Sequence, residues 1–303
     1  MTRRELIGAL SAAAGTTLTA AAPTPKLAVF TKHLQFLTGE ALAEALAEIG
    51  ADAADLSVRK GGHIAPARVK QDLPPLLKAL EKRRIAFTMA TTDIVDSDSP
   101  FAAEVLSTLS SAGVKHYRWG GFKFDPLRPV VDQIEALKPR VKKLAEFNKQ
   151  YGMCAMYHTH SGLNQLGAAI WDLHLLLKDF DPRYVAVNYD IGHATVEGGF
   201  GGWIESLNVT GPHLQGVALK DVHWTKGPKG WHSVWCPIGE GMVRFDQFFA
   251  ILRRVNFIGP MQVHFEYPLG DAESGARQIT MPKQQVLDAM KRDLDRLREI
   301  WKA

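Results

Sequence analysis

Two short segments of the sequence pair chemically active side chains at a spacing of two residues. His158 and His160 stand in YHTH, and His264 and Glu266 stand in VHFEY. Side chains alternate along a strand, so each pair shares a face if these segments are strands. Two imidazoles on one face can bind a divalent metal, although structural histidines produce the same spacing. A glutamate within an apolar strand requires a cation or a hydrogen-bond network to offset its desolvation.

Two further apolar segments also end in polar residues. Asp190 closes one of them and His193 comes three residues later, which brings an oxygen and a nitrogen ligand close together. A carboxylate that caps the next turn is the alternative interpretation. Lys220 shares a face with Ala218 in LQGVALKD. An inward-facing lysine indicates a neighbouring anion or metal site, because burying an unpaired ammonium is costly.

Other polar and aromatic residues follow predicted strands and are candidates for substrate contacts. They are Lys32, Arg59, His63, Arg118, His193, His223 and Trp224. Any one charged residue alone is typical of a solvated surface. Their repetition just after strands favours a polar substrate pocket.

Strands that alternate with helices must position these residues. The sequence predicts eight strand–helix units in about 275 residues, from 27 to 303. Alternation implies parallel pairing, and eight units of this length fit a (β/α)8 TIM barrel, whose active site lies at the carboxyl ends of the strands. A doubly wound sheet usually carries a glycine-rich turn after its first strand, but TKHLQFL stands there.

Particular boundaries also follow from the pattern. We predict the seventh strand over 214–224 and the eighth over 260–268. Helix breaks are expected at Pro74 and Pro75 and again at Pro139, because proline removes a donor from the helix ladder. The C-terminal helix places six apolar residues on one face, namely Val286, Leu287, Met290, Leu294, Leu297 and Trp301.

Residues 1–22 have the layout of an export signal. Arg3 and Arg4 precede a run rich in Ala, Leu and Gly, and the pair resembles a twin-arginine signal. This predicts a periplasmic or secreted protein. Glu5 and the shortness of the apolar run argue against a stable membrane anchor. A disordered, alanine-rich terminus is the alternative.

Composition narrows the classes of partner. The chain has 303 residues, 46% of them hydrophobic, and a formal net charge of +4. No block of lysine and arginine is long enough to predict a nucleic-acid partner. The two cysteines, Cys154 and Cys236, make no disulfide framework and are expected as buried thiols. The oligomeric state stays open, a homo-oligomer included.

Several motifs together resemble the sugar phosphate isomerase/epimerase family, which has a xylose isomerase-like barrel. They are AEIGADAADLSVR, YHTHSG, YDIGHATVEGG, VALKDVHW, CPIGEGMVRFDQFFAIL and GPMQVHFEY. The resemblance implies a divalent metal, Mn²⁺, Zn²⁺, Mg²⁺ or Co²⁺, held by Glu, Asp, His and Glu from four late strands. It assigns Asp190 as the aspartate and Glu266 as the last glutamate, which can also move a proton. His193 matches a substrate contact, and the implied partner is a small-molecule carbohydrate.

Two positions depart from that family pattern. His158 stands where the first glutamate is expected, and Ala218 replaces the histidine of HxKD. His223, His160 and His264 are the candidates to replace the missing histidine. The metal set predicted from the sequence is therefore His158, His160, Asp190 and Glu266.

The resulting hypothesis is a metal-dependent isomerase or epimerase that works through an enediolate. Glu266 is the expected base, with His158 or Lys220 opposite. A lyase, a dehydratase or a 3-keto-glycoside-cleaving enzyme on the same barrel is one alternative. A carbohydrate-binding protein without catalysis is another, and abasic-site DNA cleavage is disfavoured because it needs a richer metal cluster and a basic groove.

Overall fold

Eight parallel strands close into a barrel in the structure, a computed structural model that describes residues 26–303. The barrel strands are β1 (Leu27–Phe30), β2 (Ala53–Val58), β3 (Ala86–Thr92), β4 (His116–Trp119), β5 (Cys154–His158), β6 (Val185–Asp190), β7 (Leu214–Leu219) and β10 (Met261–Val263). Each strand pairs with its neighbour in the order β1-β10-β7-β6-β5-β4-β3-β2. The predicted (β/α)8 barrel is confirmed. The proposed signal, residues 1–22, lies outside the described residues.

Helices surround the barrel and cover its outer face. They are α1 (Gly39–Glu48), α2 (Val69–Lys82), α3 (Ala102–Ser111), α4 (Val130–Tyr151), α5 (Trp171–Leu177), α6 (Ile191–Gly198), α7 (Gly202–Thr210), α8 (Phe245–Arg254) and α9 (Lys283–Lys302). The six apolar residues predicted for one face of α9 are all buried. No helix in the range 26–303 combines the length and apolar character that a bilayer span needs. Cys154 and Cys236 are buried free thiols, as expected.

The predicted helix breaks at the prolines are wrong. Helix α2 runs through Pro74 and Pro75, and α4 runs through Pro139. An internal proline costs about 3 kcal/mol. Burial offsets that cost, because each helix buries apolar residues on both sides of its prolines and each such side chain contributes roughly 1.5–3 kcal/mol.

The predicted seventh strand is in fact two elements. Barrel strand β7 ends at Leu219, and a hairpin follows, β8 (Asp221–Gly227) paired antiparallel with β9 (Gly230–Cys236). The buried Asp221 carboxylate holds the turn, since it accepts backbone N–H groups from Val222, Gly239, Gly241 and Val243. The alternating pattern continues across this turn, which explains why the sequence suggested one strand.

The last barrel strand is shorter than predicted. Strand β10 covers only Met261–Val263, so His264 and Glu266 lie just beyond it. Backbone pairing ends there because the last bonds of this edge go from the His264 N–H to the Leu219 carbonyl and from the Phe265 N–H to the His33 ring. Side-chain alternation nevertheless continues, with Phe265 in the outer core.

Candidate active site

Inward-facing side chains from the late strands meet at the carboxyl-terminal mouth of the barrel. The outer core takes the residues of opposite parity, such as Tyr189, Leu219 and Phe265. Asp190 at the end of β6 and Glu266 after β10 therefore face the same space, as the sequence predicted. They converge on the ammonium of Lys220, whose Nζ lies 3.2 Å from Asp190 Oδ2 and 2.7 Å from Glu266 Oε2.

Lys220 is almost fully enclosed, with 2% of its surface exposed. Its Nζ also lies 2.8 Å from His193 Nε2 and 4.1 Å from the centre of the Trp235 ring. A lysine ammonium only donates, so His193 Nε2 must accept and its Nδ1–H donates to Ser161 Oγ at 2.8 Å. His193 is thus neutral, and burial lowers its pKa to about 3.

Glu266 is held as a carboxylate by two ammonium groups. Lys32 Nζ lies 3.3 Å from Oε1, while Lys220 occupies Oε2. Burial opposes ionisation, but Lys220, His264 and Lys32 hold the pKa of Glu266 well below its ordinary value. Glu266 is therefore ionised. Its side chain keeps 23% exposure, so the carboxylate can be reached from the mouth of the barrel.

Asp190 serves two neighbours with its two oxygens. Oδ1 accepts the His193 N–H at 2.9 Å and caps α6, which was the alternative interpretation of this residue. Oδ2 faces the barrel, 3.4 Å from His158 Nε2, and is buried without an aligned hydrogen bond despite its proximity to Lys220. Burial opposes ionisation here too, but Lys220 and the hydrogen bond from the His193 N–H lower the pKa of Asp190.

One group of side chains at the mouth fits a divalent metal. His158, Asp190 and His264 each offer a ligand atom, all within 4.8 Å of one another. Asp190 Oδ2 and both ring nitrogens of His264 are buried without hydrogen-bond partners. Two imidazoles and one carboxylate with unfilled acceptor atoms form a donor set that suits zinc, iron or a related ion.

A second group, His158, His160 and His193, fits a metal less well. Arg118 Nη2 lies 3.2 Å from His160 Nε2, and Arg118 can only donate. His160 Nδ1–H therefore donates to the His158 carbonyl at 3.1 Å. Because His193 Nε2 already accepts from Lys220, two of the three imidazole lone pairs are occupied by the protein's own cations.

The side-chain amides of Asn188 and Gln262 form a hydrogen-bonded pair that contacts the His158 ring. They bond each other twice, at 2.9 and 3.1 Å, and Asn188 Nδ2 lies 3.0 Å from His158 Nδ1. In this orientation the His158 proton is on Nε2. Turning both amides together preserves their mutual bonds and would place the proton on Nδ1, leaving Nε2 free to bind a metal.

His264 is the candidate that replaces the missing family histidine in this group. His223 lies on the hairpin, belongs to neither group and has the half-exposed Trp224 beside it. Glu266, predicted as a ligand, belongs to neither group within the described chain, since Lys220 stands between it and Asp190. His160 is engaged by Arg118.

The early strands contribute a different set of charges. Arg118 points inward from β4, and the Arg59 guanidinium lies 5.4 Å from the centre of the Phe30 ring. Beside them, Asp55 is fully buried on β2 and accepts from Thr91 Oγ1 at 2.9 and 3.0 Å. Burial raises the pKa of Asp55 to about 7. Asp55 was not predicted, although a carboxylate in the apolar run ADLSV is the same signal that singled out Glu266.

His63 is placed away from these clusters. Its ring nitrogens lie 3.1 Å from Ser57 Oγ and 3.3 Å from the Leu34 carbonyl. Burial lowers the pKa of His63 to about 4, so the ring is neutral. Its hydrogen bonds tie together the turns after β1 and β2, and its predicted contact with substrate stays a prediction.

A cavity of about 610 Å³ opens at the opposite end of the barrel. Residues at strand starts line it, among them Lys26, Phe87 and His116, with Ile258 at its rim. It is remote from Asp190, Lys220 and Glu266, which end their strands. The charge cluster at the mouth, rather than the size of this cavity, identifies the candidate site.

Comparison with known proteins agrees with this architecture. Residues 43–299 match the family described as the xylose isomerase-like TIM barrel. Curated proteins gave no match.

Solved structures share the fold at low identity. The chain is similar to 3-keto-D-glucoside 4-epimerase YcjR from E. coli, with 15% identity over 91% of this chain and 99% of that one and a TM-score of 0.64. D-allulose 3-epimerase from Methylomonas sp., solved with D-allulose, has 15% identity, 91% and 97% coverage and a TM-score of 0.63. The IOLI protein, solved with a zinc atom, has 14% identity, 91% and 99% coverage and a TM-score of 0.66. At such identities the likeness establishes the fold alone.

Proposed function

We propose, from the premise that this chain belongs to the xylose isomerase-like TIM-barrel family, that it is a sugar isomerase or epimerase. It would move a proton on a carbon next to a carbonyl in a sugar or sugar-like keto compound. The observation that carries the proposal is an ionised, reachable Glu266 carboxylate 2.7 Å from the Lys220 ammonium, beside the buried His158–Asp190–His264 group. Solved relatives that are named as sugar epimerases support the same class.

The residues at the mouth divide the chemistry between them. Glu266 is the base that accepts the proton, because it is ionised and retains access to the mouth. Lys220 stabilises negative charge that develops on the substrate oxygen, since its ammonium is fixed by three partners before substrate arrives. His158, whose Nδ1 lies 3.0 Å from Asn188 Nδ2, is a candidate for returning a proton only in the metal-free site, since its Nε2 would be occupied as a metal ligand.

A divalent metal fits this scheme as a cofactor. His158, Asp190 and His264 would hold it, and their imidazole-rich set favours Zn²⁺ or a related transition-metal ion over Mg²⁺. When bound, such an ion supplies Lewis-acid polarisation of the carbonyl and the neighbouring hydroxyl.

Hydrogen exchange in D₂O tests the proposal directly. Ketoses and 3-keto sugars are incubated with the enzyme and Mn²⁺, and NMR records deuterium at the carbon next to the carbonyl. Glu266→Gln is expected to lower exchange by roughly 10²–10⁴-fold. Glu104→Gln, an exposed site on α3, is the matched control and should exchange as wild type.

The same assay separates the alternatives. A product of altered mass identifies a lyase or dehydratase, since isomerisation conserves mass apart from the deuterium. Sugar binding without exchange identifies a carbohydrate-binding protein. Full exchange by Glu266→Gln would contradict the assignment of the base.

Export remains a proposal on the strength of residues 1–22. The arginine pair and the following Ala-rich run support delivery to the periplasm or the medium. Fractionation of cells that express the full chain and an Arg3→Lys, Arg4→Lys variant tests it. Equal export of both chains would remove the twin-arginine route.

A further inference from the structure

We infer that the substrate carries an oxyanionic group, a carboxylate or a phosphate, which Arg118 and Arg59 bind at the early-strand side of the mouth. This inference rests on the proposed function for the sugar part of the substrate, and it adds that the substrate is an anion. The two guanidinium groups and their surroundings carry it.

Arg118 lacks an anionic partner within the described chain. Its guanidinium donates to His160 Nε2, a neutral acceptor, and no carboxylate oxygen among residues 26–303 lies within 4.0 Å of it. Burial, and next the neighbouring Arg59, lower the pKa of Arg118 from its ordinary value. A guanidinium in an enclosed site with a like charge nearby is costly unless a ligand anion joins it.

Arg59 also lacks an anionic partner among residues 26–303. Its guanidinium lies over the Phe30 ring and has no hydrogen bond or ion pair with any other residue from 26 to 303. A cation over an aromatic face keeps its N–H groups free for a ligand. Phe30 in turn packs on His264, with ring centres 4.9 Å apart, which places Arg59 next to the proposed metal group.

The balance of charge at the mouth points the same way. Four cations face it, Lys32, Arg59, Arg118 and Lys220, against the carboxylates of Asp190, Glu266 and Asp55. Asp55, with a pKa raised to about 7, is only about half ionised at neutral pH. The side chains at the mouth therefore carry a net positive charge, and a divalent cation in the His158–Asp190–His264 group would increase it.

Guanidinium groups suit oxyanions because their planar N–H pairs match two oxygens at once. Arg118 also orients His160, which bonds the His158 carbonyl, so an anion bound there would be fixed relative to the proposed reaction centre. Lys32 and Lys220 pair with Glu266 at the proposed reaction centre, so Arg118 and Arg59 are the cations left to bind an anionic substituent of the substrate.

Calorimetric titration with three probes tests the inference without requiring turnover. D-Glucuronate supplies the carboxylate, glucose 6-phosphate the phosphate, and D-glucose is the neutral reference. At least one charged sugar is expected to bind about tenfold or more tightly than glucose. Arg118→Met and Arg59→Met should each remove this preference, whereas Arg118→Lys should retain part of it.

Arg254→Met, an exposed site at the end of α8, is the matched control. Because Arg59 is outside the barrel strands, its variant provides the test if Arg118→Met does not fold. The inference is overturned if neither charged sugar binds more tightly than glucose, or if both arginine variants bind like Arg254→Met. An arginine-dependent preference without deuterium exchange would uphold the anion site while removing the proposed isomerase.

Discussion

Both sides of the barrel mouth hold cations, buried Lys220 on one side and the half-buried Arg118 and Arg59 on the other, but the cations have different partners. On the late-strand side, Lys220 is neutralised by Asp190 and Glu266 and shielded by His193. On the early-strand side, Arg118 and Arg59 have no carboxylate within ion-pair distance among the described residues. The comparison suggests that the late-strand side is prepared for chemistry and the early-strand side for recognition.

This difference has a physical basis. A charge with internal partners is oriented before the substrate arrives, which is the condition for stabilising a transition state. A cation without partners gains most from a ligand, because attraction to the ligand's negative charge offsets its desolvation cost. Each side can therefore be perturbed separately.

Removing the central cation should have the largest effect. Lys220→Met leaves the Asp190 and Glu266 carboxylates without their shared ammonium, so we expect the free energy of unfolding to fall by about 3–5 kcal/mol. Mn²⁺ or Zn²⁺ should restore part of the loss and bind more tightly than to wild type, since the competing charge is gone. Urea unfolding at pH 7 with and without metal measures both, with the hairpin variant Lys226→Met as control. Equal free energies of unfolding for Lys220→Met and Lys226→Met would contradict the central role of Lys220.

Asp55, which lies beside Arg118 and Arg59, should make the free energy of unfolding depend on pH. Its folded pKa is about 7, raised by burial from 3.8, so the folded state keeps a proton that the unfolded chain releases. Stability relative to Asp55→Asn is therefore expected to fall as pH rises from about 4 to 7, by up to about 4 kcal/mol, and then level off. Urea unfolding across this range measures it, with the exposed Asp132→Asn as reference. A constant difference between wild type and Asp55→Asn would show that Asp55 ionises normally.

Metal binding can decide whether His264 or His223 is the third metal ligand. His264→Ala should weaken Zn²⁺ binding by about 100-fold or more, beyond the range expected for an outer partner, because it removes a ligand. His223→Ala on the hairpin should leave binding unchanged. Titration calorimetry on metal-free protein compares them, and the reverse order of effects would assign the site to the hairpin side.

We expect the smallest effect from removing the hydrogen bond between His193 and Ser161. Ser161→Ala removes the acceptor of the His193 Nδ1–H and should cost about 1 kcal/mol in the free energy of unfolding. Lys220 still donates to Nε2 in this variant, so the His193 ring should keep its Nδ1–H tautomer, which its nitrogen NMR shifts report. A mixture of tautomers would mean that Lys220 alone does not fix the ring.

The sequence predicted the fold and the convergence of Asp190 with Glu266 because both follow from alternation, which is a local property. It could not reveal that Lys220 lies between them, since that depends on how far β7 is turned relative to β6 and β10. The hairpin was missed for a similar reason: the turn after Lys220 is fixed by backbone N–H groups around position 240 that bond Asp221. The tautomers of His160 and His193 likewise require knowledge of which cation faces each ring.

The Trp235 ring reaches from the hairpin over the Lys220 ammonium at 4.1 Å. This contact equips the protein with its own optical reporter, because indole emission responds to a charge placed against the ring. Any ligand that draws Lys220 away from its resting partners would alter the emission of this tryptophan. A search for the natural substrate could therefore begin with fluorescence screening of unmodified enzyme, before any reaction has been identified.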